Sequence, residues 1–201
     1  MSTVATNVVL NKIVNDPRYL RNVSYGAPRR GHAEGTVAAH ILQLEDNLRA
    51  LDGFGLITDD QYDRLEILIH VHDSFKMDAK RNAAIEETHS HASLARAFLA
   101  EFTDDDDLLQ IVQYHDLGYA VWRKFEDKGK LDPTRLQAGL STISDLNLFL
   151  TFAIIDSCTP SKGRRMIQWL VEYVGANYPG ITVTTEIIGR LPQPDVACEC
   201  F

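Results

Sequence analysis

Two adjacent pairs, His72-Asp73 and His115-Asp116, and a lone carboxylate, Asp156, are the residues whose types and spacing could do chemistry. His72-Asp73 closes an apolar helical face formed by Leu65, Leu68 and Ile69, where unpaired polar groups are costly to bury. His115-Asp116 repeats that arrangement after Leu108, Leu109, Ile111 and Val112. Asp156 follows directly on Phe149-Leu150-Thr151-Phe152-Ala153-Ile154-Ile155, a stretch that must be core, and an ionised carboxylate there needs a cation or several donors. Neutral imidazole and carboxylate are the natural ligands of borderline and hard divalent ions. Neighbouring helical side chains point about 100° apart, so a His-Asp pair does not chelate as an i, i+4 pair would. It can still meet one ion at a helix end, with Asp73 bridging to a second.

The elements that carry these residues read as helices. Six of the seven histidines fall on helices that periodicity assigns independently. Val4 to Val14 stops at Asp16-Pro17, and a Gly-, Pro- and Arg-rich loop runs from Asn22 to Gly35. Thr36 to Leu51 buries Val37, Ile41, Leu44, Leu48 and Leu51 on one face, with Gly53 as its left-handed C-terminal cap. Thr58 and Asp59 cap a helix over Asp60 to Phe75, and Ala83 to Phe102 reads as another. Thr103 caps the next helix, with Asp104 to Asp107 in its first turn, where negative charge suits the helix dipole. Helices follow at about Leu108 to Phe125, Pro133 to Leu140, Ser144 to Cys158 and Lys162 to Asn177. Only Ile181 to Ile188 alternates in the manner of a strand. The expected fold is all-α, one helical bundle over residues 1–201 with little or no β structure.

Composition narrows the function classes. The chain has 201 residues, 45% apolar and 24% charged, as an ordinary globular protein has. Its formal net charge of -8 argues against nucleic acid or an anionic membrane as partner, since those need a basic face. No apolar run approaches the roughly 18 residues needed to cross a bilayer, and Met1 to Val14 lacks the pattern of a signal peptide. A cytoplasmic location is expected. Of the three cysteines, Cys158 reads as a small buried hydrophobe, and Cys198 and Cys200 as part of a frayed tail.

The series His40, His72-Asp73 and Asp156, each on its own helix, resembles the HD-domain superfamily of metal-dependent phosphohydrolases. Gly35-Thr36-Val37-Ala38-Ala39-His40-Ile41 is similar to the first helix of that family, and Ile69-His70-Val71-His72-Asp73-Ser74-Phe75-Lys76 to its apolar-His-Asp-x-x-Lys segment. His91-Ala92-Ser93-Leu94-Ala95 and Ile111-Val112-Gln113-Tyr114-His115-Asp116 resemble the further metal-binding helices of two-metal members. The resemblance covers roughly residues 30–160, leaving 161–201 as a C-terminal helix and tail. It implies that His40, His72, Asp73 and Asp156 hold one ion, and that His91 and His115 complete a second site bridged by Asp73. His89 is the alternative to His91, on a different face of the same helix. His70 reads as structural or supporting. The Gly-rich tripeptide of the cyclic-dinucleotide branch is absent after His115-Asp116, where Leu-Gly-Tyr-Ala-Val follows.

The chemistry so implied is phosphate-ester hydrolysis with one or two divalent ions, iron, manganese, nickel, cobalt, zinc or magnesium, and a small phosphorylated substrate such as a nucleotide. Asp73 and Lys76 are the expected catalytic residues. Lys76 follows His72 by four residues, so on a continuing helix it would face a phosphate bound at the ion. Arg29, Arg30 and His32 are further candidates for substrate, with Lys80 and Arg81 behind them. Two alternatives stay open: a mixed-valence di-iron oxygenase of the same superfamily, for which the six-residue ligand series is equally suited, and a metal-stabilised binding module without turnover. Self-association is also open.

Overall fold

The computed structural model describes residues 3–29, 31–129 and 131–194, and among them the chain is helical throughout, without a strand. Short polar side chains start most of the helices by accepting a backbone N–H of the first turn. Asp16 does so for α1's successor α2 (Pro17–Val23), while α1 itself spans Thr3–Val14. Thr36 caps α3 (Val37–Gly53), and a Thr58/Gln61 capping box starts α4 (Asp59–Val71). Ser90 caps α5 (His91–Leu99) and Asp105 caps α6 (Asp106–Tyr114). α7 (Leu117–Lys128) ends at Gly129, whose φ of 64° is the left-handed conformation that glycine takes without strain. Asp132 caps α8 (Pro133–Leu140), Asp145 caps α9 (Leu146–Ser157), and α10 (Arg165–Asn177) closes the bundle before a 3-10 turn at Thr185–Arg190.

α4 is the centre of the packing. Leu65, Ile67, Leu68, Ile69 and Val71 are fully buried, because α1, α3, α6 and α9 all pack against it. α9 is buried around its whole circumference from Leu148 to Ile155 and apolar there except for Thr151, whose hydroxyl donates to the Asn147 carbonyl, as suits a helix enclosed on every side. Both of the helices that deliver Asp73 and Asp156 are thus held rigidly by the core. No helix among the described residues is long and apolar enough to cross a membrane.

Several boundaries differ from those the sequence suggested, each for a local reason. α4 stops at Val71, and residues 72–78 form turns, so Lys76 does not continue the helix. α5 starts at His91 and not at Ala83: Ser90 donates its hydroxyl to the Ile85 carbonyl and accepts the Ser93 amide, which ends the preceding turns and begins the helix. The helix expected over Leu108 to Phe125 is broken at His115-Asp116, where the His115 ring takes the Val112 carbonyl. Asp105, not Thr103, caps α6; Thr103 accepts the Asp105 amide instead. The segment Ile181 to Ile188 forms no strand, since Asn147 Oδ1 captures the amides of Thr182 and Val183 and no partner strand exists among the described residues. α10 begins at Arg165, three residues after Lys162. A short helix, α2, stands before the Gly-rich loop, and the left-handed residue after α3 is Gly55 (φ 66°), not Gly53. Cys158 is buried as expected, and burial pushes its thiol up to about 11. Cys198 and Cys200 lie outside the described residues.

Candidate metal centre

Helix ends, not helix middles, deliver the polar residues to one place. His72 and Asp73 leave the C-terminus of α4, His91 opens α5, His115 and Asp116 fill the break between α6 and α7, and Asp156 sits in the last turn of α9. His40 comes from the first turn of α3. These termini converge although His40 and Asp156 are 116 residues apart in sequence.

Three groups of donor atoms result among the described residues, and Asp73 belongs to two of them. His40, His72 and Asp73 offer ligand atoms within 4.8 Å of one another, and so do Asp73, His91 and His115. The third group, His32, Glu34 and His40, adjoins the first through His40. Asp73 Oδ2 lies 3.5 Å from His72 Nε2, whereas its Oδ1 lies 3.7 Å from both His91 Nε2 and His115 Nε2. The carboxylate therefore points one oxygen at each of its two groups. Asp156 Oδ1 completes the first group, 2.8 Å from His40 Nε2 and 3.8 Å from His72 Nε2.

The second nitrogen of the rings sets their orientation. His72 Nδ1 lies 3.0 Å from the Ile69 carbonyl, and His115 Nδ1 lies 2.7 Å from that of Val112, so both rings turn Nε2 inward. His72 Nε2 is then a buried nitrogen with no hydrogen-bond partner, facing two carboxylates. Burial lowers the His72 pKa, which keeps the ring neutral and its lone pair available. His91 Nε2 and His115 Nε2 stand 3.1 Å apart. Two nitrogens bound about 2.1 Å from one ion at right or tetrahedral angles are separated by roughly 3.0–3.4 Å. The residues fit a metal ion on both counts.

Lysines and histidines balance the charge of the carboxylates. Burial works against the ionised forms of Asp73 and Asp156, yet both carboxyls are held well below the usual range: Asp73 chiefly by Lys76, Asp156 by Lys162 and His40. Lys76 Nζ contacts Asp73 Oδ2 directly, and Lys162 Nζ is 2.9 Å from Asp156 Oδ1. Burial opposes a charge on His115, but Asp116 and Asp73 raise it to about 9. Asp116, 3.3 Å from His91 Nε2, is lowered by His115 and His91 against the effect of burial.

The centre opens into a cleft of about 1120 Å³, lined by Lys76, Lys162, Arg29, Arg123 and Arg165 together with Tyr119 and Trp122 among others. His32 borders it too, with Nδ1 2.9 Å from Glu34 Oε1. Of the residues nominated by the sequence, His40, His72, Asp73, His91, His115 and Asp156 are brought together, and Lys76, Arg29 and His32 border the cleft. Arg30 lies outside the described residues. His89 is exposed, Lys80 is exposed and pairs with Glu87, and Arg81 is exposed; none of the three lines the cleft. His70 faces away, between Tyr19 Oη (2.6 Å) and Glu45 Oε1 (3.2 Å).

Three residues in contact with the ligand set were not nominated as site members, nor were the cleft residues Tyr119, Trp122, Arg123 and Arg165. Asp116 carried a signal, as half of the repeated His-Asp pair. Glu34, in a Gly-rich loop, and Lys162, in the turn after α9, carried none, since nothing local marks an acid or a lysine there as inward-facing. No protein-family model, no curated protein and no solved structure matches the chain.

Proposed function

We propose that this chain is a metal-dependent phosphohydrolase of the HD type, acting on a nucleotide or another small phosphate ester. The observation that carries the reading is the division of Asp73 between two histidine groups, the disposition of a carboxylate shared by two ions. His40, His72, Asp73 and Asp156 would hold one ion; Asp73, His91 and His115, with Asp116 beside them, would hold the other. This nitrogen-rich set favours a transition metal over magnesium, which prefers oxygen ligands. Ions bound there supply an activated water and neutralise phosphoryl charge.

The chain's own residues account for the rest. Lys76 and Lys162 stand at the cleft floor beside Asp73 and Asp156, so their ammonium groups are at hand for a phosphate held against the centre. Arg29 and His32 reach the same space from the loop before α3. Lys76 does so from a turn, not from a helix face shared with His72.

A screen of nucleotides and phosphomonoesters with added manganese, cobalt, nickel and magnesium tests the reading. Hydrolysis that depends on added metal and disappears in His72→Ala is the expected result. Inert phosphates, together with oxygen consumption by iron-loaded protein and an organic substrate, would replace it with the oxygenase. Bound metal with neither activity would leave a binding module.

A further inference from the structure

Of the three inward-facing imidazoles whose second nitrogen has a partner within reach, two use the carbonyl of their own helix and one does not. His72 Nδ1 is held by the Ile69 and Leu68 carbonyls and His115 Nδ1 by that of Val112. His40 lies in the first turn of α3, where the carbonyl of Thr36 already receives the backbone N–H of His40. Its Nδ1 is a buried nitrogen without a hydrogen bond of good geometry, and the group facing it is Glu34 Oε1, at 3.3 Å.

We propose that Glu34 is the positioning residue of His40: its carboxylate receives the Nδ1 proton and so turns the Nε2 lone pair toward the metal. The proposal rests on the metal-binding reading above. A ligating histidine ordinarily donates its other N–H to a carboxylate or carbonyl, which fixes the tautomer and raises the basicity of the ligating nitrogen. Glu34 is built for that service. Its side chain is 3% exposed, and no lysine or arginine pairs with it among the described residues. The same Oε1 takes His32 Nδ1 at 2.9 Å, and Oε2 lies 3.3 Å from Ser161 Oγ. Burying a carboxylate with such partners is expensive, and a cation-binding imidazole one bond away offsets the cost.

The loop is folded to hold that carboxylate in place. Gly35, next in sequence, has φ +87° and lies so close to Pro28 that a Cβ would come within 2.9 Å of Pro28 Cδ. Val37 N–H then closes the loop onto the Tyr25 carbonyl at 2.9 Å. No residue but glycine suits that backbone conformation at that distance. Glu34 thereby ties the cleft-side His32, the metal-side His40 and the Ser161 turn that precedes Lys162 to one carboxylate.

The test is titration of metal-free protein with zinc(II), comparing the parent with Glu34→Ala, the isosteric Glu34→Gln and His32→Ala. Loss of Glu34 should weaken the ion held by His40 by about 10–100-fold while the ion held by His91 and His115 keeps its affinity. Glu34→Gln, which still offers an acceptor but no charge, should lose less, and His32→Ala should stay near the parent. Independently of metal, in an Asp156→Ala background that removes the competing acceptor 2.8 Å from Nε2, nitrogen-15 shifts of His40 at alkaline pH should show the proton on Nδ1 while Glu34 is present and shifted toward Nε2 in Glu34→Ala. A parent that binds no zinc would sink the metal reading, and the tautomer of His40 would still judge Glu34. Parental affinity and an unshifted tautomer in both Glu34 variants would overturn the proposal. So would an additional ion lost alike in Glu34→Ala and His32→Ala, which would make Glu34 a ligand.

Discussion

The rings of His91 and His115 meet Nε2 to Nε2 at 3.1 Å, although one opens α5 and the other ends α6. Two such nitrogens can share one proton, or both can turn their lone pairs on an ion lying beside Asp73 Oδ1. The parent should therefore bind two ions, and His91→Ala/His115→Ala should retain one while losing most of its activity. Calorimetric titration of metal-free protein reads the count; one ion in the parent would give these rings to substrate or structure.

Asp73 should be the residue whose loss is felt at both ions. Asp73→Ala, and separately His72→Ala, should leave purified protein with little transition metal by elemental analysis. Less than about 0.1 ion per chain in the parent after reconstitution would remove the centre altogether; tight ligand sets of this kind normally retain their metal.

Metal affinity should rise with pH. His115 has its pKa raised to about 9 in the metal-free protein, so its proton must leave before Nε2 can bind an ion. Affinity should increase by at least about tenfold per pH unit up to about 9 and then level off. The stability effect runs the other way. A raised pKa stabilises the metal-free fold fully below the ordinary histidine value and loses that stabilisation as pH rises through about 9. His40, raised by Asp156 and Glu34 against burial, adds in the same direction. Titrations in buffers of different ionisation heat count the protons released.

Lys162 and an ion compete for Asp156, because the ammonium stands 2.9 Å from Oδ1. Lys162→Met should tighten metal binding by a few-fold and weaken inhibition by orthophosphate, opposite signs that a purely structural lysine would not give. Unchanged metal affinity would show that the two cations do not exclude each other.

Lys76→Ala should lower the rate by roughly 10²-fold, the scale of losing one preorganised charge contact, and leave the metal in place. Hydrolysis at the parental rate would move the phosphate to Arg29 and Lys162, which line the same cleft.

The break that presents His115 and Asp116 depends on close packing behind it. A Cβ on Gly139 of α8 would overlap Leu117 Cδ2 and crowd Tyr114, the residues flanking the pair. Gly139→Ala should cost about 1–3 kcal/mol by denaturant unfolding, as overpacking does.

Much of this architecture is written in local pattern. The apolar period along Leu65, Leu68 and Ile69 and the unbroken run before Asp156 put α4 and α9 in the core, and polar groups at the ends of buried helices had to meet something charged. That much follows from periodicity and the cost of burying polarity. Where helices stop was less legible, because side chains decided it by capturing backbone groups: Ser90 before α5, the His115 ring between α6 and α7, and Asn147 on the segment that would have been a strand. Only the tertiary structure decided the company each ligand keeps. Glu34 comes to His40 through a loop closed at Gly35, and Lys162 to Asp156 through a turn held by Arg164, whose guanidinium takes the carbonyls of Ser157, Thr159 and Lys162. Neither has a periodic or compositional mark in sequence, because a loop side chain's direction is set by where the backbone around it finds its hydrogen bonds.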